Sequence, residues 1–113
     1  MKIHNILEDC NANGVQGHSL KTALIGLWFS PAVRILLSYR VQYRLRQKGG
    51  GWRTFLARWL WLRTVSKWGC DIGNQAIIEP GITLPHPLGI VIGNFVKVER
   101  GCKIYQHVTL GDR

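Results

Sequence analysis

The sequence predicts an α+β protein in which an N-terminal helical region is followed by part of a parallel β-helix of hexapeptide repeats. Three observations support this fold class. Apolar residues recur at helical spacing up to about residue 68, aliphatic residues recur every six positions from residue 72, and the charge pattern changes near residue 70. We therefore expect a basic helical region over residues 1–69 and a partial repeat region over residues 70–113.

The charge distribution separates these two regions. The 113 residues carry a formal net charge of +9, yet no Asp or Glu occurs between Asn11 and Cys70. That span holds ten basic residues, whereas the residues after Cys70 are nearly balanced in charge. An apolar fraction of 46% excludes a chain that is disordered by composition. The sequence therefore predicts a folded protein whose positive charge lies almost entirely in its helical part.

Three helices are expected in the first region. Ser30 and Pro31 are typical of a helix start, because a capping hydroxyl precedes a proline whose fixed φ suits the first turn. The helix that begins there is expected to end at the three glycines of residues 49–51. A second helix is predicted from about residue 52 to residue 68, and an earlier one over residues 20–29.

The helical region is also rich in tryptophan and arginine, which leaves three interpretations open. In the first, the aromatic side chains pack inside a helical bundle or against another subunit. In the second, the basic amphipathic helices of residues 20–68 lie on an anionic membrane surface. The third is nucleic-acid binding, but no recognition motif accompanies the charge, so we expect no nucleic-acid partner.

The three cysteines, Cys10, Cys70 and Cys102, are widely spaced and form no CxxC pair. This predicts reduced thiols and no metal site. The start lacks the apolar core of a signal peptide, and the uncharged stretch of residues 22–33 is shorter than the ~20 residues that cross a bilayer. We expect a cytoplasmic location, with peripheral contact at the inner membrane face as an open alternative.

Seven aliphatic residues mark a six-residue period that slips once by two residues. They are Ile72, Ile78 and Leu84 before the slip, and Ile92, Val98, Ile104 and Leu110 after it. This period is the signature of a parallel β-helix whose marked side chains point inward. We expect a first coil over residues 72–91 and a second over residues 92–109. A third coil only begins at Leu110, so we expect the sequence to stop inside its repeat region.

The slip falls on LPHPLGIVIG, residues 84–93, where His86 lies between Pro85 and Pro87. Two prolines make the corner rigid, because each fixes its own φ angle. His86 is either a base presented at this corner or a solvated turn residue. An imidazole suits the first role, because its ordinary pKa of about 6.5 lets it accept a proton near neutral pH.

Residues 30–111 resemble the serine O-acetyltransferases, a family of hexapeptide-repeat acyltransferases. The resemblance is carried by the helical part and by the sequence that follows it, GCDIGNQAIIEPGITLPHPLGIVIGNFVKVERGCKIYQHVTLG. In that family two residues separate the catalytic histidine from a Gly-Ile-Val-(Ile/Val)-Gly pattern, and here Pro87 and Leu88 separate His86 from residues 89–93. The partner aspartate of the family opens an Asp-Ile pair fifteen residues earlier, which corresponds to Asp71.

The resemblance implies a left-handed β-helix and transfer of an acetyl group from acetyl-CoA to the serine hydroxyl, the first step of cysteine biosynthesis. His86 would be the general base and Asp71 the carboxylate that orients it; the alternative for Asp71 is a simple turn residue. The resemblance also implies a homotrimer or a dimer of trimers, with sites between subunits. Contacts to coenzyme A are expected in later coils, which this sequence does not contain. The family does not usually have a catalytic histidine at the position of His107, so we expect this side chain to line the site or to pack.

Four departures from the family pattern keep alternatives open. Pro85 stands where an aspartate often contacts serine, and residues 11–14 replace an Arg-Asp-Pro segment. In the family a further histidine follows a Gly-Asp-Arg run, whereas this sequence ends at Arg113, so that histidine is absent. By its place in that run, Arg113 is the candidate for substrate binding. The fourth departure is the absence of the later coils, which in the family hold the contacts to coenzyme A. One alternative is a sugar O-acetyltransferase of the colanic-acid type for capsule or exopolysaccharide. The other is an inactive, truncated remnant that binds a membrane or a partner.

Overall fold

The computed structural model describes residues 3–111, and its first part consists of helices. Their bounds are Ile3–Ala12 (α1), Leu20–Phe29 (α2), Pro31–Lys48 (α3) and Gly51–Trp68 (α4). The three predicted helices are confirmed to within one residue at each end, whereas α1 was not predicted. Among residues 3–111, no single helix is long and apolar enough to cross a bilayer; α2 and α3 satisfy that test only as a pair, bent by 111°.

The ends of α3 and α4 follow from local sequence. The Ser30 hydroxyl accepts a hydrogen bond from the backbone N–H of Val33 over 3.3 Å, and Pro31 occupies the first turn of α3. Gly69 ends α4 in the left-handed region, at φ 65° and ψ 19°. A residue without Cβ adopts this conformation without strain, so the chain can turn sharply from α4 into the repeats.

The second part contains short parallel strands of two residues each. They are Asp71–Ile72 (β1), Ile77–Ile78 (β2), Val91–Ile92 (β3), Lys97–Val98 (β4) and Thr109–Leu110 (β5). Strands β1, β3 and β5 form one parallel sheet, and β2 pairs with β4 in another. An isolated parallel bridge joins Thr83 to Lys103. Parallel pairing along three separate segments is what stacked coils of a repeat protein produce.

The strand register confirms the predicted slip. Asp71 pairs with Val91, and Val91 pairs with Thr109, so these three residues mark the same point on successive coils. The second coil, from Val91 to Thr109, has the length of three regular hexapeptides. The first coil, from Asp71 to Val91, is longer by the two residues of the slip. The extra residues therefore belong to the coil that contains His86.

The predicted inward-facing positions form the core. Of the seven marked aliphatic residues, all are buried except Leu110, which is partly buried. Leu88, four residues after Leu84, is 53% exposed, whereas Ile90, two residues later, is buried. The two extra residues cause this exchange, because they move the inward position from Leu88 to Ile90. The inner face packs against α3 through Ile35 and Leu36.

The aromatic residues of the helical region do not all pack inside the chain. Trp28, Trp52 and Trp59 are exposed, whereas Trp61 and Trp68 are partly buried. Packing inside the chain is therefore wrong for the first three, and their packing against another subunit stays a prediction. Their helices bury other residues, such as Gly26 on α2 and Ala57 on α4, because small side chains allow close packing there.

Candidate functional site

His86 lies exposed at the corner between the first and second coils. Its backbone carbonyl accepts a hydrogen bond from the N–H of Leu88 over 2.8 Å, which closes a tight turn around Pro87. The imidazole makes no hydrogen bond to another residue in the described range 3–111, and the side chain faces solvent. The corner therefore holds the backbone in place while the imidazole stays exposed.

The chain that leads into this corner is held by the end of α1 and the residue after it. The Asn13 amide donates from Nδ2 to the carbonyl of Ile82 over 2.8 Å, and its Oδ1 accepts from the N–H of Leu84 over 2.8 Å. The Thr83 hydroxyl donates to the carbonyl of Ala12 over 3.0 Å. These bonds satisfy the carbonyl of Ile82 and the N–H of Leu84, so the position of the segment before His86 depends on the helical region.

A buried ion pair holds the stretch that precedes this segment, residues 78–81. Nε of Arg40 donates to Oδ2 of Asp9 over 2.6 Å, and Nη2 donates to Oδ1 over 3.0 Å. The guanidinium also donates to the carbonyls of Ile78 and Glu79, over 2.9 and 3.3 Å. Asp9 Oδ1 accepts from the N–H of Gly81 over 3.0 Å. The bidentate pair, with these additional hydrogen bonds, compensates the loss of water around both charges.

Asp71 opens β1 and is partly buried beneath α4. Its Oδ1 accepts a hydrogen bond from the indole N–H of Trp61 over 2.8 Å. The carboxylate borders a cleft of about 350 Å³, which is also lined by Arg46, Arg58 and Asn94. Within residues 3–111, no hydrogen bond joins Asp71 to His86. The predicted pairing of these two side chains stays a prediction.

Three residues with left-handed backbone lie at equivalent positions of successive coils. Gly69, Gly89 and His107 each precede the strands β1, β3 and β5 by two residues, with φ values of 65°, 62° and 59°. The His107 N–H donates to the carbonyl of Leu88 over 2.9 Å, and its imidazole lies where a Cβ on Gly89 would be. His107 therefore covers the backbone that follows His86.

Buried titratable groups tie the helices to the coils. Burial raises the pKa of Tyr39 to about 12. Its hydroxyl donates to the carbonyl of Ala76 and accepts from the N–H of Ile78 over 3.1 Å, so α3 is bonded directly to the first coil. Burial also raises the pKa of the Cys10 and Cys70 thiols, which makes them poor nucleophiles.

Sequence reasoning missed Asp9, Asn13, Arg40 and Trp61. One signal was present for Asp9, because it is one of only two acidic residues that precede the long basic span. A carboxylate beside so many cations is a candidate for a specific ion pair. The Arg113 candidate lies outside the described residues. Among residues 3–111, no group of three or more His, Cys, Asp or Glu side chains is placed to hold a metal ion.

Two-residue parallel strands, paired across successive coils beside a helical region, define the fold class of this chain. The serine acetyltransferase of Buchnera aphidicola subsp. Acyrthosiphon pisum is 31% identical over 106 residues, which are 94% of this chain and 38% of that protein. The serine acetyltransferase of Haemophilus influenzae is 31% identical over 108 residues, which are 91% of this chain and 39% of that protein. The resemblance to serine acetyltransferases is therefore confirmed, and this chain is homologous to part of those proteins.

Solved structures agree with this relationship. The crystal structure of serine acetyltransferase from Vibrio cholerae O1 biovar El Tor superimposes with a TM-score of 0.79 at 28% identity, covering 98% of this chain and 43% of that one. Serine acetyltransferase 1 of Entamoeba histolytica, in complex with L-cysteine, gives a TM-score of 0.77 at 25% identity, covering 97% and 40%. The fold of helices followed by short parallel strands is thus shared. No family model matches the chain, which spans about two fifths of the length of these curated relatives.

Proposed function

We propose that this chain carries the general base of an acetyl-CoA-dependent O-acetyltransferase whose acceptor is the hydroxyl of serine. The observation that carries the proposal is the exposed His86 at the corner of the longer first coil, separated by two residues from the pattern at residues 89–93. The homologous serine acetyltransferases support the reaction class. The asparagine and ion-pair contacts that hold residues 78–84 support a fixed position for the base.

In the proposed reaction, His86 accepts the proton of the serine hydroxyl as that oxygen attacks the carbonyl carbon of the acetyl thioester. A new C–O bond forms, the C–S bond breaks, and the thiolate of coenzyme A leaves and takes the proton back from the imidazolium. Asp71 would accept a hydrogen bond from the other ring nitrogen of His86, which selects the tautomer and stabilises the positive charge. Oδ1 of Asp71 already accepts from the Trp61 indole, which leaves Oδ2 for this bond.

The finer features of the family belong to the same proposal. We propose that the coils are left-handed and that residues 1–69 and 70–113 form separate units. Further, the chain assembles as a homotrimer or a dimer of trimers in the cytoplasm, with sites between subunits. The exposed position of His86 supports a site between subunits, because a second copy would enclose an imidazole that a single copy leaves in solvent.

The proposal is tested by release of free thiol from acetyl-CoA, with serine and with sugar acceptors offered in parallel. We expect thiol release that depends on serine, and His86→Ala should lower kcat by ~100-fold or more, because it removes the general base. His18→Ala is the matched control, because His18 is exposed and lies outside the repeats.

Each other outcome contradicts one part of the proposal. Turnover by His86→Ala at the level of His18→Ala would remove His86 from the base role. Thiol release with a sugar hydroxyl and none with serine would replace the acceptor, a result that Pro85 would then explain. A folded protein that releases no thiol with either acceptor would contradict the activity itself and favour a binding role.

A further inference from the structure

Helix α4 exposes a continuous apolar stripe. Trp52, Phe55, Trp59 and Leu62 follow one another at intervals of three and four residues, so they share one face of the helix. Their side chains are 64, 74, 46 and 52% exposed. The opposite face, around Ala57, is the one that α4 buries. Four large apolar side chains in one exposed row are unusual for a surface that only meets water.

Basic side chains border this stripe on both sides. At about 100° per residue, Arg58 lies on one side of the row, and Arg63 and Lys67 lie on the other. All three are exposed, and the Arg63 guanidinium lies 5.1 Å from the centre of the Trp59 ring. Long basic side chains can cover an apolar surface with their stems and still present their charges at its edge.

Helix α2 extends the same surface. Its residue Leu27 lines a cleft of about 360 Å³ together with Trp59, Arg63 and Lys67. Leu27 is exposed, and the residues that follow it, Trp28 and Phe29, are among the most exposed apolar side chains of the protein. We call the surface made by the stripe, the three flanking basic residues and Leu27 the α4 face.

The α4 face carries positive charge without compensation from its own helices. No Asp or Glu occurs between Asn11 and Cys70, so α2, α3 and α4 contain none. The acidic residues of α1 are engaged elsewhere, because Asp9 pairs with Arg40 and Glu8 pairs with Arg100 over 3.2 Å. Two copies that paired through this face would bring like charges together, which disfavours a second copy as its partner.

We propose that the α4 face binds a membrane surface that contains anionic phospholipids. Tryptophan, phenylalanine and leucine side chains enter the boundary between headgroups and acyl chains, and the flanking cations meet the phosphates. The helix lies in the plane of the interface. Of the residues of this face, Arg58 also borders the Asp71 cleft, whereas the apolar stripe, Leu27, Arg63 and Lys67 lie outside the lining of that cleft.

The test is co-sedimentation of the whole chain with vesicles of phosphatidylcholine alone and with vesicles that also contain phosphatidylserine. We expect binding to the anionic vesicles that weakens as salt is raised. Arg58→Gln with Arg63→Gln should reduce this binding by roughly tenfold or more, because two interfacial cations are lost. Trp52→Ser with Phe55→Ser should reduce it by a similar factor, because buried apolar area is lost.

Matched controls remove the same groups away from the face. Lys97→Gln with Lys103→Gln removes two exposed cations of the repeat region, and Tyr105→Ser removes an exposed aromatic side chain there. Both should bind vesicles as the unmodified chain does. Circular dichroism confirms that each variant is folded, so that a loss of binding reports on the face.

Three results would overturn the proposal. The first is equal binding to neutral and anionic vesicles, because the cations would then have no role. The second is no vesicle binding by the folded chain at low salt. The third is no vesicle binding together with self-association that the α4 variants abolish in sedimentation equilibrium, which would assign the face to contacts between copies.

Discussion

The indole N–H of Trp61 donates a hydrogen bond to Oδ1 of Asp71 over 2.8 Å. The bond joins the middle of α4 to the first residue of β1, and it holds the carboxylate that we propose as the partner of His86. A carboxylate with one oxygen occupied in this way still has a second oxygen, Oδ2, that can accept a further bond. Trp61 is thus a positioning residue for the proposed site.

Trp61→Phe removes this donor while keeping an aromatic ring in place. We expect kcat for thiol release to fall about tenfold with little change in the KM for serine, because Asp71 loses the contact that orients it. Steady-state kinetics with serine varied at saturating acetyl-CoA measures the two constants separately. Trp68→Phe is the control, because Trp68 is also partly buried on α4 but makes no hydrogen bond to Asp71. A loss of stability without a change in kcat would show that the bond is only structural.

Asp9→Asn should destabilise the fold by about 3–5 kcal/mol, because it leaves the Arg40 guanidinium buried without its partner charge. Urea unfolding followed by circular dichroism measures the free energy of unfolding. The neighbouring Glu8→Gln provides a sharp comparison, because Glu8 pairs with Arg100 at the surface. Exposed pairs contribute about 0–1 kcal/mol, so this variant should unfold close to the unmodified chain. Equal effects of the two substitutions would contradict the buried-pair argument.

Ionisation of Tyr39 should make the fold less stable in strongly alkaline solution. The folded pKa of this hydroxyl is raised to about 12 by burial, whereas an exposed tyrosine ionises near 10. The folded state therefore holds this proton more tightly, so its contribution to stability is complete below about pH 10 and is lost as the pH rises to about 12. Over that window the free energy of unfolding should fall by about 1.4 kcal/mol per pH unit from this group.

Tyr39→Phe isolates that effect. It removes the bonds to Ala76 and Ile78, which should cost about 1–3 kcal/mol at neutral pH, and it should remove the part of the alkaline loss that Tyr39 causes. Tyr105→Phe is the control, because Tyr105 is exposed. Spectroscopic titration of tyrosinate in the folded chain should show one tyrosine that ionises late; its persistence in Tyr39→Phe would contradict the assignment.

The left-handed corner at His107 predicts an order of stability. His107→Gly should be more stable than His107→Ala by about 1 kcal/mol, because a Cβ is strained at a φ of 59° and glycine is not. Gly89→Ala should destabilise the chain, because the new methyl group would overlap the His107 ring. In a His107→Gly background the cost of Gly89→Ala should be about 1 kcal/mol smaller. Thermal unfolding of the unmodified chain, Gly89→Ala, His107→Gly and the double variant would measure this difference. Additive costs would contradict the contact.

Local patterns predicted α2, α3, α4 and the repeat period correctly, since each depends on residues close together in the chain. The start of α3 needed only Ser30 and Pro31, and the glycines at residues 49–51 marked its end. The two-residue slip was visible in the sequence as a break in the six-residue spacing of the aliphatic residues. In the structure it is the difference in length between the first and second coils. His86 could be selected for the same reason, because it lies within that break.

Tertiary structure decided the contacts between the helices and the coils. Asp9 and Arg40 are 31 residues apart, and Asn13 is 69 residues from Ile82, so no local pattern identifies these partners. It also decided which aromatic side chains reach solvent, because a helical pattern defines faces but not the element that covers each one. Periodicity and capping are short-range effects that a sequence displays directly. The supports of His86 and Asp71 depend instead on how α1, α3 and α4 pack against the first coil.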